Sequence, residues 1–455
     1  MAHRLLSSST LLLLPRTQPS LAARVKAAVP VQYANYVTAS SVVLAAKPKP
    51  KPKAGGAKVV QTKGRANSFR KKISADEDAS EGSIGGSSRQ NEKYYKPVTP
   101  VKVEEFLPST VTKENIGQVL GFPSNVLPAL NHTGYPTLLN EQFNLIKPTA
   151  LVVRESTVNF LEKIDKAMKT PSAQSRLVLT GRSGSGKSAM LLQTVSHCLS
   201  SGWVVIYVPK ASTWVNSSFA YNKVFDSTTF VQPTLASNIA SQINSINKRA
   251  LSKIVTSGAV KVGRHEIAQG TTLSALLEMG TKDPSAAQDV MEVFMKEMNS
   301  QNTIPTLIAV DEVNSFFRQT QYFDQDGKKL DPEFLRLPRL FLNYISGKSS
   351  LNHGAVVIAT SDSLLENKSE VLDIVLGAKQ VSPYYRLPPN LVSWTEGLTR
   401  FDVPNYTRTE AKGVFDYYKK GNIFFDAATE SLFLNRFIIS GGNPRNFFTA
   451  CAKGI

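Results

Sequence analysis

Four short runs along the chain are apolar at nearly every position: Leu177-Val-Leu-Thr180, Trp203-Val-Val-Ile-Tyr-Val208, Thr306-Leu-Ile-Ala-Val310 and Ala355-Val-Val-Ile-Ala-Thr360. Each is too short for a helix and rich in β-branched residues, so each reads as a strand. Because polar positions do not alternate, both faces of these strands must be buried, as in a parallel sheet sandwiched between helices. Helical spacing of apolar residues fills the intervals, over 233–248, 273–279, 284–298 and 334–345. Within 284–298, Val290, Val293, Phe294 and Met298 fall on one face and read as core. The pattern predicts an α/β fold, and no internal repeat interrupts it.

The first run leads into Gly181-Arg182-Ser183-Gly184-Ser185-Gly186-Lys187-Ser188, which satisfies the phosphate-loop pattern GxxxxGK[ST] at every fixed position. Glycines let backbone amides turn toward phosphate oxygens, Lys187 neutralises the terminal phosphates, and the Ser188 hydroxyl is placed to ligate Mg²⁺. The helix expected from Ser188 onward adds its N-terminal dipole. All eight residues are candidates for nucleotide binding.

The third run ends in Asp311-Glu312. A carboxylate at that strand end suits Mg²⁺ bound through water, assigned to Asp311, and a second acid can polarise an attacking water, assigned to Glu312 as the candidate catalytic residue. The fourth run ends in Thr360-Ser361-Asp362, with Thr360 placed to meet the terminal phosphate, and Arg445, in Ser440-Gly-Gly-Asn-Pro-Arg445, could reach the phosphates from a helical lid. This set resembles the AAA+/STAND branch of P-loop NTPases rather than the Ras-like branch. Residues 319–331, polar with Asp326-Gly327, read as an exposed loop near the nucleotide site. Asn367-Lys-Ser-Glu370 is the nearest approach to a base-reading NKxD box, but it reads as helix surface, so adenine and guanine both stay open.

Charge divides the chain unevenly. Residues 1–75 hold 14 Lys or Arg and no acid, leaving 39 basic against 35 acidic residues in the remainder. An acid-free start bearing Arg, Ser and Ala has the character of a mitochondrial presequence, and Leu11-Leu-Leu-Leu14 is too short to span a bilayer. Lys47-Pro-Lys-Pro-Lys-Pro-Lys53 and the Gly/Ser/Lys-rich stretch after it cannot bury a core and read as a disordered basic arm, equally suited to a solvated linker or to RNA phosphates. The two cysteines, Cys198 and Cys451, lack CxxC spacing, and the five histidines lack metal-ligand spacing. That excludes a disulfide scaffold or zinc module.

Taken together, the basic start, Gly181–Ser188, Trp203-Val-Val-Ile-Tyr-Val-Pro209, Val310-Asp-Glu-Val313 and Gly441-Gly-Asn-Pro-Arg445 resemble the death-associated protein 3 family, in a fungal-type version, over about 100–455. The resemblance implies a P-loop α/β domain at 151–400 and a small C-terminal helical lid at 401–455. Ahead of them, composition and charge give a presequence and flank at 1–45 and a basic arm at 46–93, the Lys/Pro-rich part of which is no part of the family pattern, and 94–150 is taken as a family-specific extension. The resemblance further implies a structural protein of the mitochondrial matrix, in the head of the small ribosomal subunit. Its partners would be small-subunit proteins and rRNA, with the large subunit across the interface and no membrane span. Bound GTP or GDP with Mg²⁺ would be retained with at most slow hydrolysis, and ATP is not excluded. Two other classes fit the motifs: a mitochondrial AAA+-like ATPase acting on protein or DNA, and a nucleotide-binding signalling scaffold. The ATPase would need a trans-acting arginine, for which Arg336 and Arg339 are candidates against their reading as solvated or salt-bridged helix residues.

Overall fold

The structure, a computed structural model, describes residues 100–453 apart from 226, 362–368, 378, 381–383, 385 and 425–426. The expected presequence and basic arm lie outside the described residues, as do Asp362, Asn367 and Lys368.

Five strands form one sheet: β1 (Arg176–Thr180), β2 (Val204–Val208), β3 (Thr306–Val310), β4 (Gly354–Ala359) and β5 (Thr399–Asp402). All neighbours are parallel and the order is β5-β1-β4-β3-β2. In chain order the longer helices are α1 (Thr137–Leu145), α2 (Glu155–Ala167), α3 (Lys187–Ser200), α4 (Pro233–Leu251), α5 (Leu273–Lys282), α6 (Ala287–Ser300) and α7 (Arg336–Ser346). Three more, α8 (Arg408–Lys420), α9 (Glu430–Ser440) and α10 (Pro444–Lys453), close the chain.

Successive strand residues point to opposite faces, so each apolar run feeds two cores. Val204, Ile206 and Val208 join Ile308, Val310, Val356 and Ile358 under α4 to α7, where Leu235, Leu276, Phe294 and Phe341 pack. Val205 and Tyr207 join Leu307, Ala309, Ala355 and Val357 under α2 and α3, where Phe160, Ile164, Met190 and Leu191 pack. The continuous apolarity of the runs has this double burial as its cause.

A third core belongs to the C-terminal helices. Phe415, Phe433 and Phe447 pack with Ile146, Ala150 and Val152, and the Tyr417 hydroxyl donates to the Pro148 carbonyl at 2.7 Å. Residues Ala150–Val152 also pair antiparallel with Val119–Gly121. The segment ahead of the sheet and the helices after it therefore share apolar side chains.

The expected elements are present with shifted ends. The helix expected from residue 284 begins at Ala287, because the Asp283 carboxylate accepts from the Ser285 amide at 3.0 Å and holds a turn there. The helix expected from 334 begins at Arg336 after a short 3-10 turn, Pro332–Phe334. Strand β5 has no apolar run behind it. Only Phe401 packs inward, its ring 4.8 Å from that of Phe160. The loop expected over 319–331 is anchored by buried Tyr322 and Leu330, and the Tyr322 hydroxyl donates to the Phe219 carbonyl at 3.1 Å.

Among the described residues, no helix is long and apolar enough to cross a membrane and no group of three or more His, Cys, Asp or Glu could hold a metal ion. Cys198 and Cys451 are buried free thiols.

Candidate functional site

The C-terminal ends of parallel strands leave a crevice where an open α/β sheet binds its ligands. At that edge a cavity of about 610 Å³ lies between the sheet, α1 and α10. Strand β1 ends at Thr180, and the chain turns through Gly181–Gly186 into α3, with Gly184 at φ 79° and Gly186 at φ 100°. A Cβ on Gly184 would lie 2.6 Å from Asn443 Oδ1 and 2.8 Å from Arg445 Cβ, so only glycine admits the lid this close.

Lys187 is buried, and its ammonium donates to the Gly181 carbonyl at 2.8 Å and the Arg182 carbonyl at 3.2 Å. These bonds bend the loop back over its own lysine. Across the cavity, Asp311 follows the last residue of β3 and is buried. Burial pushes its carboxyl up to about 7, against the opposing influence of a Ser188 hydrogen bond, the Glu312 amide and the Lys187 charge. Glu312 follows with left-handed backbone (φ 57°), and Ser212 Oγ donates a hydrogen bond to its carboxylate. Thr360 extends β4, its hydroxyl donating to the Leu179 carbonyl at 3.2 Å, while the Asn314 side chain bonds both the amide and the carbonyl of Ser361.

The lid closes on the loop through three contacts. Asn443 Nδ2 donates to the Ser183 carbonyl at 2.9 Å, the Arg445 amide donates to the Gly184 carbonyl at 3.2 Å, and Arg445 Nη1 reaches Ser183 Oγ at 3.4 Å.

Of the residues expected at the site, Ser183, Gly184, Gly186, Lys187, Ser188, Asp311, Glu312, Thr360 and Arg445 line this one cavity. Gly181, Arg182 and Ser185 do not: the first two support Lys187 from below, and the Ser185 hydroxyl is buried in the loop without a hydrogen-bond partner. Residues 319–331 do not line it either. Arg336 and Arg339 line a different cavity, and Arg336 is paired with Asp289 at 3.0 Å and Glu292 at 2.6 Å, the salt-bridged alternative.

Together these groups set a glycine-rich turn with a buried ammonium against a hydroxyl and a carboxylate. That donor set suits a phosphate chain accompanied by a hard divalent cation.

Residues 151–450 match the family model described as mitochondrial ribosomal death-associated protein 3. The chain belongs to this family. It is 26% identical over 363 residues to the small ribosomal subunit protein mS29 of Schizosaccharomyces pombe, covering 77% of this chain and 75% of that one. It is 22% identical over 357 residues to the small ribosomal subunit protein mS29 of Neurospora crassa, covering 74% of this chain and 75% of the relative.

In this family member several cavity residues had no motif to announce them. Lys210, Ser212 and Thr213 follow β2, and their one legible signal is position, just past the end of a buried parallel strand. Arg154 follows the buried residues 150–153 and donates from Nη1 to the Ser185 carbonyl at 2.9 Å and from Nη2 to the Pro404 carbonyl. The cavity wall from α1, including Pro136, Leu138 and Glu141, was equally silent in the sequence.

Proposed function

We propose that this chain is a structural protein of the mitochondrial small ribosomal subunit that holds guanine nucleotide with Mg²⁺ in the cavity between β1, β3 and the C-terminal helices. Family membership and the two mS29 relatives support the ribosomal role and the mitochondrial matrix location. Small-subunit proteins and rRNA would be its partners, with the large subunit across the interface.

The observation that carries the nucleotide reading is the convergence of Lys187, Ser188 and Asp311, from two separated strand ends, on one cavity. Loop amides and Lys187 would hold the phosphates, Ser188 and a water beside Asp311 would hold Mg²⁺, and Arg445 would cover the phosphates from the lid. The bound cation supplies charge neutralisation. The position of β4 between β1 and β3, with Thr360 at its end, supports the AAA+/STAND type of P-loop fold. GTP or GDP fits the family reading, while the phosphate contacts themselves accept ATP equally.

Within a ribosome no neighbour of the same kind supplies an arginine, so nucleotide acts chiefly as a structural cofactor that stabilises the folded body by linkage. The competing motor reading loses a finger candidate, since Arg336 is held by two acids of α6.

Two measurements test the proposal. The native protein should sediment with small-subunit RNA at high salt, and Lys187→Ala should lose labelled GTP by more than about tenfold in affinity, the scale of one charge-assisted contact. Free ATP-dependent rings, or equal GTP retention by the variant, would overturn it.

A further inference from the structure

Beyond the Gly181–Ser188 loop and the strand ends, two helices line the cavity. These are α1, contributing Leu138, Glu141 and Gln142, and α10, contributing Phe448. Helix α1 also lies outside the residues matched by the family model. Leu138 and Glu141 are one turn apart and share a face, while Phe143 is buried on another. Leu138 remains 43% exposed beside the cavity, an apolar surface suited to the flat face of a base.

Besides Arg445, the polar groups on these helices are Thr137, Glu141 and Gln142 of α1 and Thr449 of α10, of which Glu141 alone is a carboxylate. Gln142 Nε2 already donates to the Tyr418 hydroxyl at 3.0 Å, which leaves its Oε1 facing other donors. Glu141 is exposed, and among the described residues it has no hydrogen-bond or ion-pair partner. Its carboxylate stands on α1, apart from Asp311 and Glu312 at the sheet edge.

The Watson–Crick edge of guanine carries two adjacent donors, N1–H and the C2 amino group. A carboxylate accepts both at once. Adenine places an acceptor at N1 and nothing at C2, and xanthine replaces the C2 amino group with a carbonyl, so both oppose a carboxylate.

Resting on the nucleotide reading above, we propose that Glu141 of α1 selects the base, accepting from N1–H and the amino group of guanine, with Leu138 and Phe448 as the apolar walls. The work of an NKxD aspartate would thus fall to a residue from the segment ahead of the sheet, brought to the site by the fold.

The test is equilibrium binding of GDP, ADP and XDP with Mg²⁺ to the full chain, to Glu141→Gln and to Lys187→Ala. The wild type should prefer GDP. Glu141→Gln should lose about tenfold or more in GDP affinity while gaining XDP, because the new amide donates to the C2 carbonyl. Its melting temperature without nucleotide should equal that of wild type, since Glu141 supports nothing else. Unchanged GDP, ADP and XDP affinities in Glu141→Gln, with GDP lost in Lys187→Ala, would overturn the base assignment and leave the phosphate site standing. Wild-type protein that binds none of the three would overturn both.

Discussion

Arg154 and Glu410 form an ion pair, Nε to Oε2 3.5 Å, with side chains only 5% and 3% exposed. The pair joins three parts of the molecule. Arg154 precedes α2 and holds the Ser185 carbonyl of the Gly181–Ser188 loop at 2.9 Å, and its guanidinium lies 5.0 Å from the centre of the Tyr406 ring. Glu410 sits in the first turn of α8, where it closes a capping box with Thr407 and accepts from the Glu155 amide at 3.1 Å. Loop and C-terminal helices therefore share one buried cation.

Removing one member of a buried pair strands the other charge, at a cost of about 3–5 kcal/mol. Glu410→Ala should lower the urea midpoint accordingly and loosen the loop, so that nucleotide affinity falls as well. The paired replacement Arg154→Met with Glu410→Leu removes the stranded charge and should recover part of the stability, the Thr407 and Glu155 amides staying unpaired, but not the affinity, since the Ser185 contact stays lost. A midpoint for Glu410→Ala within error of wild type would show that the pair contributes nothing.

Asp311 sets a pH dependence. Burial lifts its carboxyl from an ordinary 3.8 to about 7, so across that interval the folded chain holds a proton that the unfolded chain has released. Its contribution is then fully present below about pH 4 and falls away as pH rises through about 7. Above that it is flat. Nucleotide-free protein should lose stability from this group between those limits, and Asp311→Asn should remove that part of the slope. Urea unfolding at intervals from pH 5 to 8 decides it, and parallel slopes for wild type and variant would refute the assignment. Mg²⁺ with nucleotide should restore more stability above pH 7 than below 6, because a cation there competes with the proton.

Ser212 restrains Glu312. A hydroxyl donating to the carboxylate occupies one of its oxygens and fixes its direction, which disfavours its use in activating water. Turnover of GTP by the isolated protein should lie below about 1 s⁻¹, the lower end of ordinary enzyme rates. Ser212→Ala should raise it severalfold, and adding Glu312→Gln should cancel the gain. Single-turnover rates for the three proteins measure this, and a Ser212→Ala rate equal to wild type would show that Ser212 does not restrain Glu312.

The sheet interior and the loop that leaves it are written in local residue patterns. Strands β1 to β4 are legible because burial on both faces demands unbroken apolarity, a local constraint written into consecutive residues. The pattern Gly181–Ser188 is legible for a similar reason: it belongs to one turn of backbone, so all its requirements fall within eight positions. Asp311 is legible as the acid that ends an apolar run. The remaining features depend on long-range packing. Strand β5, Thr399–Asp402, is largely exposed and takes its conformation from hydrogen bonds to β1, so its composition carries no strand signal. Arg154, Lys210, Glu410 and Glu141 come from four separated stretches, and an isolated Arg, Lys or Glu reads as solvated surface until the chain folds. Their roles rest on which buried carbonyl, carboxylate or cavity each meets, and those neighbours are set by the packing of α1 and α8 to α10 against the sheet edge.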